Sequence, residues 1–394
     1  MECGFCERMC PSQGMTFTPR HRIIGWREIS RLRAVGDEAG AAAMSASYDY
    51  QGLETCAACG LCAMACPVSI ETGILTKKLR GERKGPLARR IAELIADNYA
   101  PVLAATRQGL RLADLTGKAL GVETLESVSR AVHRWSGDRA PIWMRTMPTA
   151  ASFRASDGGG FDPQAPAVVY LPSCAARTMG PARDDPEQQS LPAKTEALLR
   201  KAGWRVVYPK NLSGLCCGQP FESKGLAETA SAKTMEVGEA LAEASESGRL
   251  PIVCDTSPCS YRLKQALPER LRPLDIVEFI HDKLMDRLRF AKRPEAVAVH
   301  LTCSGRKMGL EGKLRAVAEA CAETAVLPAN VGCCGWAGDK GFVTPELNEH
   351  ALRMLKDALP EGCTAGYSHS RTCEIGLSMQ AGVPYRSIVY LVDA

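Results

Sequence analysis

From residue 167 onward the sequence writes one pattern twice, and this duplication limits the fold more than any other feature. Val168-Val169-Tyr170-Leu171-Pro172-Ser173-Cys174 and Val297-Ala298-Val299-His300-Leu301-Thr302-Cys303 both read as a short buried strand that delivers a cysteine at its end. Each continues as Cys-x-x-Arg-x-Met-Gly, with Cys174, Arg177, Met179 and Gly180 in the first copy and Cys303, Arg306, Met308 and Gly309 in the second. A helical segment and a second short strand follow, Arg205 to Tyr208 in the first half. Then come Cys216-Cys217-Gly218 and Cys333-Cys334-Gly335. A further strand-like run ends in a cysteine at Thr256-Ser257-Pro258-Cys259 and again at Ser370-Arg371-Thr372-Cys373. Strand alternating with helix implies a parallel α/β unit, and its recurrence implies two of them. Coincidence does not repeat four cysteines, an arginine, a methionine and two glycines in order.

Upstream, a different motif governs. Cys56-x-x-Cys59-x-x-Cys62-x-x-x-Cys66-Pro67 places three thiolates to wrap three corners of a cubane, and the fourth reaches the other cluster in two-cluster ferredoxins. A zinc site built from two CxxC pairs needs no Cys-Pro ending. Cys3-x-x-Cys6-x-x-x-Cys10-Pro11 has the same shape without its opening cysteine, which would fall one position before Met1. Reciprocal ligation then makes one complete set, Cys56, Cys59, Cys62 and Cys10, and one set a ligand short, Cys3, Cys6 and Cys66. Either that second cluster is three-iron or labile, or the natural polypeptide continues upstream. The intact remainder of the motif favours continuation.

The chain has 18 cysteines in 394 residues, too many for thiols that serve only as small core residues. An even count raises the possibility of a secreted disulfide scaffold. The absence of a visible signal, the chain length and the tight CxxC and CC grouping point instead to metal ligation in a reducing compartment, hence to the cytoplasm. In the repeats, Cys174, Cys216, Cys217 and Cys259 make one expected site, and Cys303, Cys333, Cys334 and Cys373 the other. Adjacent cysteines do not readily share a disulfide but can put two thiolates on one cluster, with Gly218 and Gly335 allowing the tight turn. Arg177 and Arg306 either balance cluster charge or are ordinary surface arginines. Cys254, Cys321 and Cys363 read as buried core thiols, and His300 and His369 as core or supporting histidines.

The expected architecture is α plus α/β. A helical two-cluster ferredoxin-like domain (1–85) leads to a helical spacer (86–154), a linker (155–166), and two cysteine-rich α/β repeats (167–285 and 290–394). In the spacer, the periodicity of Ile91-Leu94-Ile95 and Leu110-Leu112-Leu115-Leu120 predicts a core face packed on the cluster domain. No run approaches the ~18 apolar residues of a spanning helix. The formal charge of +5 reads as spread over the chain, too thin for nucleic acid, and filled clusters of about two negative charges each would offset it. Neither Gly158-Gly159-Gly160 nor Gly335 to Gly341 has the spacing of a phosphate-binding loop, so no NAD, ATP or FAD site is expected within this chain.

Glu2-Cys3-Gly4-Phe5-Cys6-Glu7, Thr18-Pro19-Arg20, Glu54-Thr55-Cys56 and Ser370-Arg371-Thr372-Cys373-Glu374 resemble the C-terminal half of FAD- and iron–sulfur-containing D-lactate dehydrogenases. The layout is also similar to the iron–sulfur subunits of glycolate oxidase and of anaerobic glycerol-3-phosphate dehydrogenase. That resemblance implies an FAD-binding dehydrogenase domain or subunit as partner, oxidising a 2-hydroxyacid, with electrons passing through two [4Fe-4S] clusters to a quinone or cytochrome. It implies at most peripheral contact with the inner face of a membrane. The repeats resemble those in the cysteine-rich subunit of heterodisulfide reductase, which hold a non-cubane cluster. That type ends each repeat in CxxC, whereas Thr256 and Ser370 stand here, which puts disulfide cleavage in doubt. No nucleophile–base pair stands out, so no catalytic residue is assigned. Two other readings stay open: a heterodisulfide-type reductase acting at Cys216-Cys217 or Cys333-Cys334, and a zinc-stapled interaction protein.

Overall fold

The computed structural model describes residues 3–155 and 164–393. Most of the expected linker, residues 156–163, lies outside the described residues.

The N-terminal part is helical. α1 (Pro19–Ala34) opens with a proline, whose missing N–H is harmless in a first turn. α2 (Glu38–Tyr48) is capped by Asp37, which accepts from the Gly40 N–H at 2.9 Å. α2 runs into a π-helical turn, Asp49–Glu54, that ends beside Cys56. A short α3 (Leu61–Ala65) and then α4 (Thr72–Glu82) follow the cysteine loop. Ile29, Tyr48, Leu53 and Leu79 form the small core that holds these pieces together.

α5 (Pro86–Asp97), α6 (Tyr99–Leu120) and α7 (Val122–Trp135) make up the spacer. Its expected core face is corrected by the structure. Ile91, Leu94, Ile95, Leu112, Leu115 and Leu120 are all exposed, and only Leu110 of that series is buried. α5 buries Ala92 and Ala96 instead, and these pack with Tyr99, Leu103, Phe221 and Ala230. Alanines let the helix approach the first repeat closely, which turns its large side chains outward.

β1 (Pro148–Ala150) pairs antiparallel with β3 (Met179–Ala182), tying the spacer to the first repeat. β2 (Ala167–Leu171), β4 (Arg205–Val207), β5 (Ile252–Cys254) and β6 (Leu274–Asp275) form a parallel sheet in the order β4-β2-β5-β6. β7 (Val297–Val299), β8 (Ala325–Val326), β9 (Ala365–Ser368) and β10 (Tyr385–Ser387) form the second, in the order β10-β9-β7-β8. In both sheets the first strand of the repeat lies between its second and third. Fully buried β2, β5 and β7 are apolar throughout, as parallel strands covered on both faces must be. The two units share one core: Tyr170, Val253 and Phe279 belong to the same cluster as Val299, Leu314 and Tyr367.

One local expectation needs correction. The repeat cysteines do not sit at strand ends but in the first turns of the helices that follow. Ser173 and Thr302 accept from the Ala176 and Gly305 N–H groups at 3.1 and 3.0 Å, so the chain turns helical at Cys174 and Cys303. The run ending at Cys259 is likewise not strand. β5 stops at Cys254, and Ser257-Pro258 opens the helix that carries Cys259.

Candidate metal centres

Cys10, Cys56, Cys59 and Cys62 line one cavity with Gly60, Gly73 and Arg22. Arg22 is 1% exposed and fully engaged. Its Nε donates to the Gly52 carbonyl at 2.7 Å, Nη2 to Ser12 Oγ at 3.0 Å and the Thr55 carbonyl at 3.2 Å, and Nη1 to Cys10 Sγ at 3.5 Å. Arg80 reaches the same loop from α4, donating to the Cys56 carbonyl at 2.7 Å and the Ser223 carbonyl at 2.8 Å. Among the described residues no carboxylate forms an ion pair with either guanidinium. Burial disfavours the Arg22 charge, yet Cys56 and Cys10 hold its pKa above the ordinary value. Burial also works to raise the Cys56 thiol, but Arg22 and Arg80 bring it below the usual thiol range. Cys62, without such help, is pushed up to about 11 by burial. The site therefore has two buried positive charges whose natural counter-charge is thiolate, or a larger anionic group held by thiolates.

Cys66 and Cys3 are each near enough to Cys6 for their charges to interact. Burial raises Cys6, and these two neighbours and Glu7 add to the shift.

In the first repeat Cys174 and Cys216 form a contacting pair, and Cys217 Sγ stands 3.2 Å from Cys259 Sγ. Gly218 has a φ of +87°, the left-handed turn expected there, and Gly335 repeats it at +71°. Arg177 is buried and donates to the carbonyls of Pro172 at 3.1 Å and Leu215 at 2.5 Å, and also to that of Leu212. It pins the Cys174 turn to the Cys216 loop. Hydrogen bonds from Cys216 and Cys259 hold the Cys217 thiol well below its ordinary pKa. The Tyr99 hydroxyl, delivered by α6, donates to Cys174 Sγ at 3.5 Å. Cys254, read from sequence as a core thiol, contacts Cys259 and so borders the site.

In the second repeat Cys303 contacts Cys333 and Cys334 contacts Cys373. Cys333 also contacts Cys59 of the N-terminal part, which makes the two cysteine groups continuous. Lys307 adds a positive charge beside Cys303 and stacks on Tyr261, with Nζ 4.0 Å from the ring centroid. Arg306, unlike Arg177, reaches out to Glu311 at 3.5 Å. His300 bonds Ser368 Oγ and the Gly332 carbonyl, both at 3.2 Å, and burial pushes its pKa down to about 4. His369 sits between Asp275 Oδ1 at 3.1 Å and Thr302 Oγ1 at 3.0 Å. Both histidines are committed to framework bonds. Cys321 belongs to the shared core, and the Cys363 thiol donates to the Ala365 carbonyl at 3.4 Å.

All 18 thiols are free of disulfides. Among the described residues, no three His, Cys, Asp or Glu side chains converge on a point that would hold a single metal ion. Sequence reasoning misses Arg22, Arg80 and Tyr99, which reach their cysteines across 12, 24 and 75 positions, and also Lys307, which lies on the same short helix as Cys303.

Residues 1–70 match the family model of a 4Fe-4S dicluster domain. Residues 168–264 and 297–378 each match that of a cysteine-rich domain, CCG. The chain thus carries iron–sulfur electron-transfer-type domains. No curated protein matches it.

Proposed function

We propose that this chain is the electron-transfer part of a flavin-dependent 2-hydroxyacid dehydrogenase of the D-lactate or glycolate type. In this reading, substrate oxidation takes place on a separate FAD-binding domain or subunit, and a quinone or cytochrome is the acceptor. The observation that carries the electron-transfer reading is Arg22, buried without a carboxylate against Cys10 and Cys56 in the cavity that Cys59 and Cys62 complete. A neutral core residue would fit an apolar void, whereas a buried guanidinium there calls for an anion. Cys10, Cys56, Cys59 and Cys62 would hold one [4Fe-4S] cluster. Cys3, Cys6 and Cys66 would contribute to a second, and the two four-cysteine sets of the repeats would hold further iron–sulfur groups. When bound, such groups supply one-electron transfer at potentials set by nearby charge and hydrogen bonds.

The chain's own residues prepare that chemistry. Arg22 and Arg80 fix the Cys56 loop and favour its thiolate. Tyr99 offers a hydrogen bond to Cys174 sulfur. The Cys59–Cys333 contact leaves no intervening protein between the N-terminal cysteines and the second repeat. Four cysteines and a buried guanidinium around one cavity support a polynuclear anionic group at that site.

The test is iron, sulfide and zinc content per chain under anaerobic conditions, with EPR before and after dithionite. About eight or more irons per chain with interacting reduced-cluster signals is the expected result. A three-iron signal before reduction would show that one cluster is held by three cysteines. Zinc without sulfide would end the electron-transfer reading.

A further inference from the structure

Five tyrosine hydroxyls of this chain donate to oxygen, and one donates to sulfur. Those of Tyr48, Tyr50, Tyr170, Tyr208 and Tyr390 meet a carbonyl or carboxylate at 2.7 to 2.8 Å. That of Tyr99 reaches Cys174 Sγ at 3.5 Å and lies beside Cys216 as well. Among the described residues it has no oxygen partner. A neutral thiol is a weak acceptor, so a buried phenol offered only sulfur regains little of what it loses on leaving water. The same sulfur as a thiolate, or as a ligand carrying negative charge, is a strong acceptor. The placement of this hydroxyl therefore matches a charged Cys174 and not a core thiol.

The spacer holds the hydroxyl in that position. α6 begins at Tyr99, which is 7% exposed. Ala92 and Ala96 of α5 share a core with Tyr99, Phe221 and Cys216, so no large side chain keeps the ring from the first repeat. Phe221, just past the Cys216-Cys217-Gly218 turn, meets the ring with 6.1 Å between centroids. Lys233, buried on the helix Ala227–Ala244, lies over the ring with Nζ 5.5 Å from its centroid. Its Nζ also donates to the Ala96 carbonyl at 3.2 Å. Attraction to the π face fixes the ring, and the bond to Ala96 fixes the junction of α5 and α6. Cys303, the counterpart of Cys174, has the Lys307 ammonium beside it instead.

On the electron-transfer reading, we infer that Tyr99 raises the reduction potential of the group held by Cys174, Cys216, Cys217 and Cys259, which gives the spacer a redox role. Reduction adds negative charge, and an O–H aimed at a ligating sulfur stabilises the reduced form more than the oxidised one. Tyr99 acts through the sulfur, as a positioning residue, and touches no substrate.

The experiment is an EPR-monitored redox titration of the full chain, purified anaerobically, for the wild type, Tyr99→Phe and Cys174→Ala. Tyr99→Phe keeps the ring and its packing and removes only the hydroxyl. One signal should shift to a lower midpoint. At the wild-type midpoint its reduced-to-oxidised ratio should fall about fivefold, the factor that one net hydrogen bond supplies. The other midpoints should stay in place. Cys174→Ala should remove or alter the same signal, which assigns it to the first repeat. In proton ENDOR of the reduced protein, an exchangeable coupling present in the wild type should be missing from Tyr99→Phe. Midpoints unchanged by Tyr99→Phe, or a shift in a signal that Cys174→Ala leaves intact, would overturn the proposal and leave the electron-transfer reading standing. Loss of iron from Tyr99→Phe in place of a shift would also overturn it, since the hydroxyl would then serve only to hold the site together. Wild-type protein without iron would end both.

Discussion

At the position where the first repeat has Asp255, the second has His369, and the two solve one problem with different chemistry. Asp255 accepts from the Ser173 N–H at 3.0 Å and from the Tyr170 hydroxyl at 2.7 Å. His369 meets Thr302, the counterpart of Ser173, through Nε2, and Asp275 through Nδ1. Each group braces the turn that begins with the first repeat cysteine. The larger imidazole needs room, and Gly305 provides it: a Cβ there would lie 2.4 Å from His369 Cε1. The first repeat, with the smaller carboxylate, keeps Ala176 at the same place. Equivalent backbones thus leave the cysteines alike while their surroundings diverge, with Arg177 buried and Arg306 half-buried, and Leu171 where the second repeat has His300. The first repeat is closed by Tyr99 from the spacer, and the second opens onto Cys59.

The largest expected difference lies in the paired arginines. Arg177→Ala should cost about 4 kcal/mol, because three carbonyls lose a charged donor in a buried setting. Arg306→Ala should cost under about 1 kcal/mol, since its ion pair with Glu311 is partly in water. Urea unfolding of both variants checks this, and equal losses would show that the repeats are held in the same way.

A second difference follows from pH. His300 is buried neutral, its pKa lowered from 6.5 to about 4 by burial. A histidine depressed on folding contributes stability that is present above pH 6.5 and lost as pH falls through about 4. The second repeat should lose roughly 3 kcal/mol over that interval. His300→Gln, which keeps hydrogen-bonding capacity without a charge to gain, should flatten the profile. Unfolding midpoints at neutral and acid pH decide it, and parallel profiles for both proteins would remove His300 as the cause.

The smallest difference concerns how the N-terminal part meets each repeat. Beside the side-chain contacts of Arg80 with the Ser223 carbonyl and Lys77 with Glu222, it meets the first in a close backbone approach: a Cβ on Gly225 would stand 2.3 Å from Gly81 N and Lys77 O, and φ there is +82°. Gly225→Ala should cost about 2 kcal/mol. It reaches the second through side chains such as Tyr50, whose hydroxyl donates to Glu346 at 2.8 Å. Tyr50→Phe should cost under about 1 kcal/mol. Limited proteolysis between residues 1–85 and the repeats reports which contact holds, and the reverse order of sensitivity would invert the comparison.

The cysteines and the repeat can be read from sequence because spacing carries their information: CxxC loops and strand-to-helix turns are local. Pattern alone places Cys174 and Cys259 at strand ends rather than in helical turns, since the first helix starts on a single capping residue, Ser173, beside an apolar run and the second starts at Ser257-Pro258 without a side-chain cap. The spacer misleads for a different reason. Its periodicity marks an apolar face correctly, but periodicity does not say whether that face is turned inward. Alanine contacts with the first repeat decide that, and they depend on residues more than a hundred positions away. Cys254 looks like a spare thiol until its contact with Cys259 is in view.

By itself, the sequence determined the duplication, the parallel strand–helix units and which cysteines are grouped, because each is set by short-range pattern and by the turn chemistry of glycine, proline and serine. Only the tertiary structure decided that Arg22 and Arg80 flank Cys56, that Cys59 meets Cys333, and that the leucine stripe of α5 faces outward. Those outcomes follow from how separately formed elements close on one another, where burial, close backbone approach and the need to pair a buried charge select among arrangements that the local pattern permits equally.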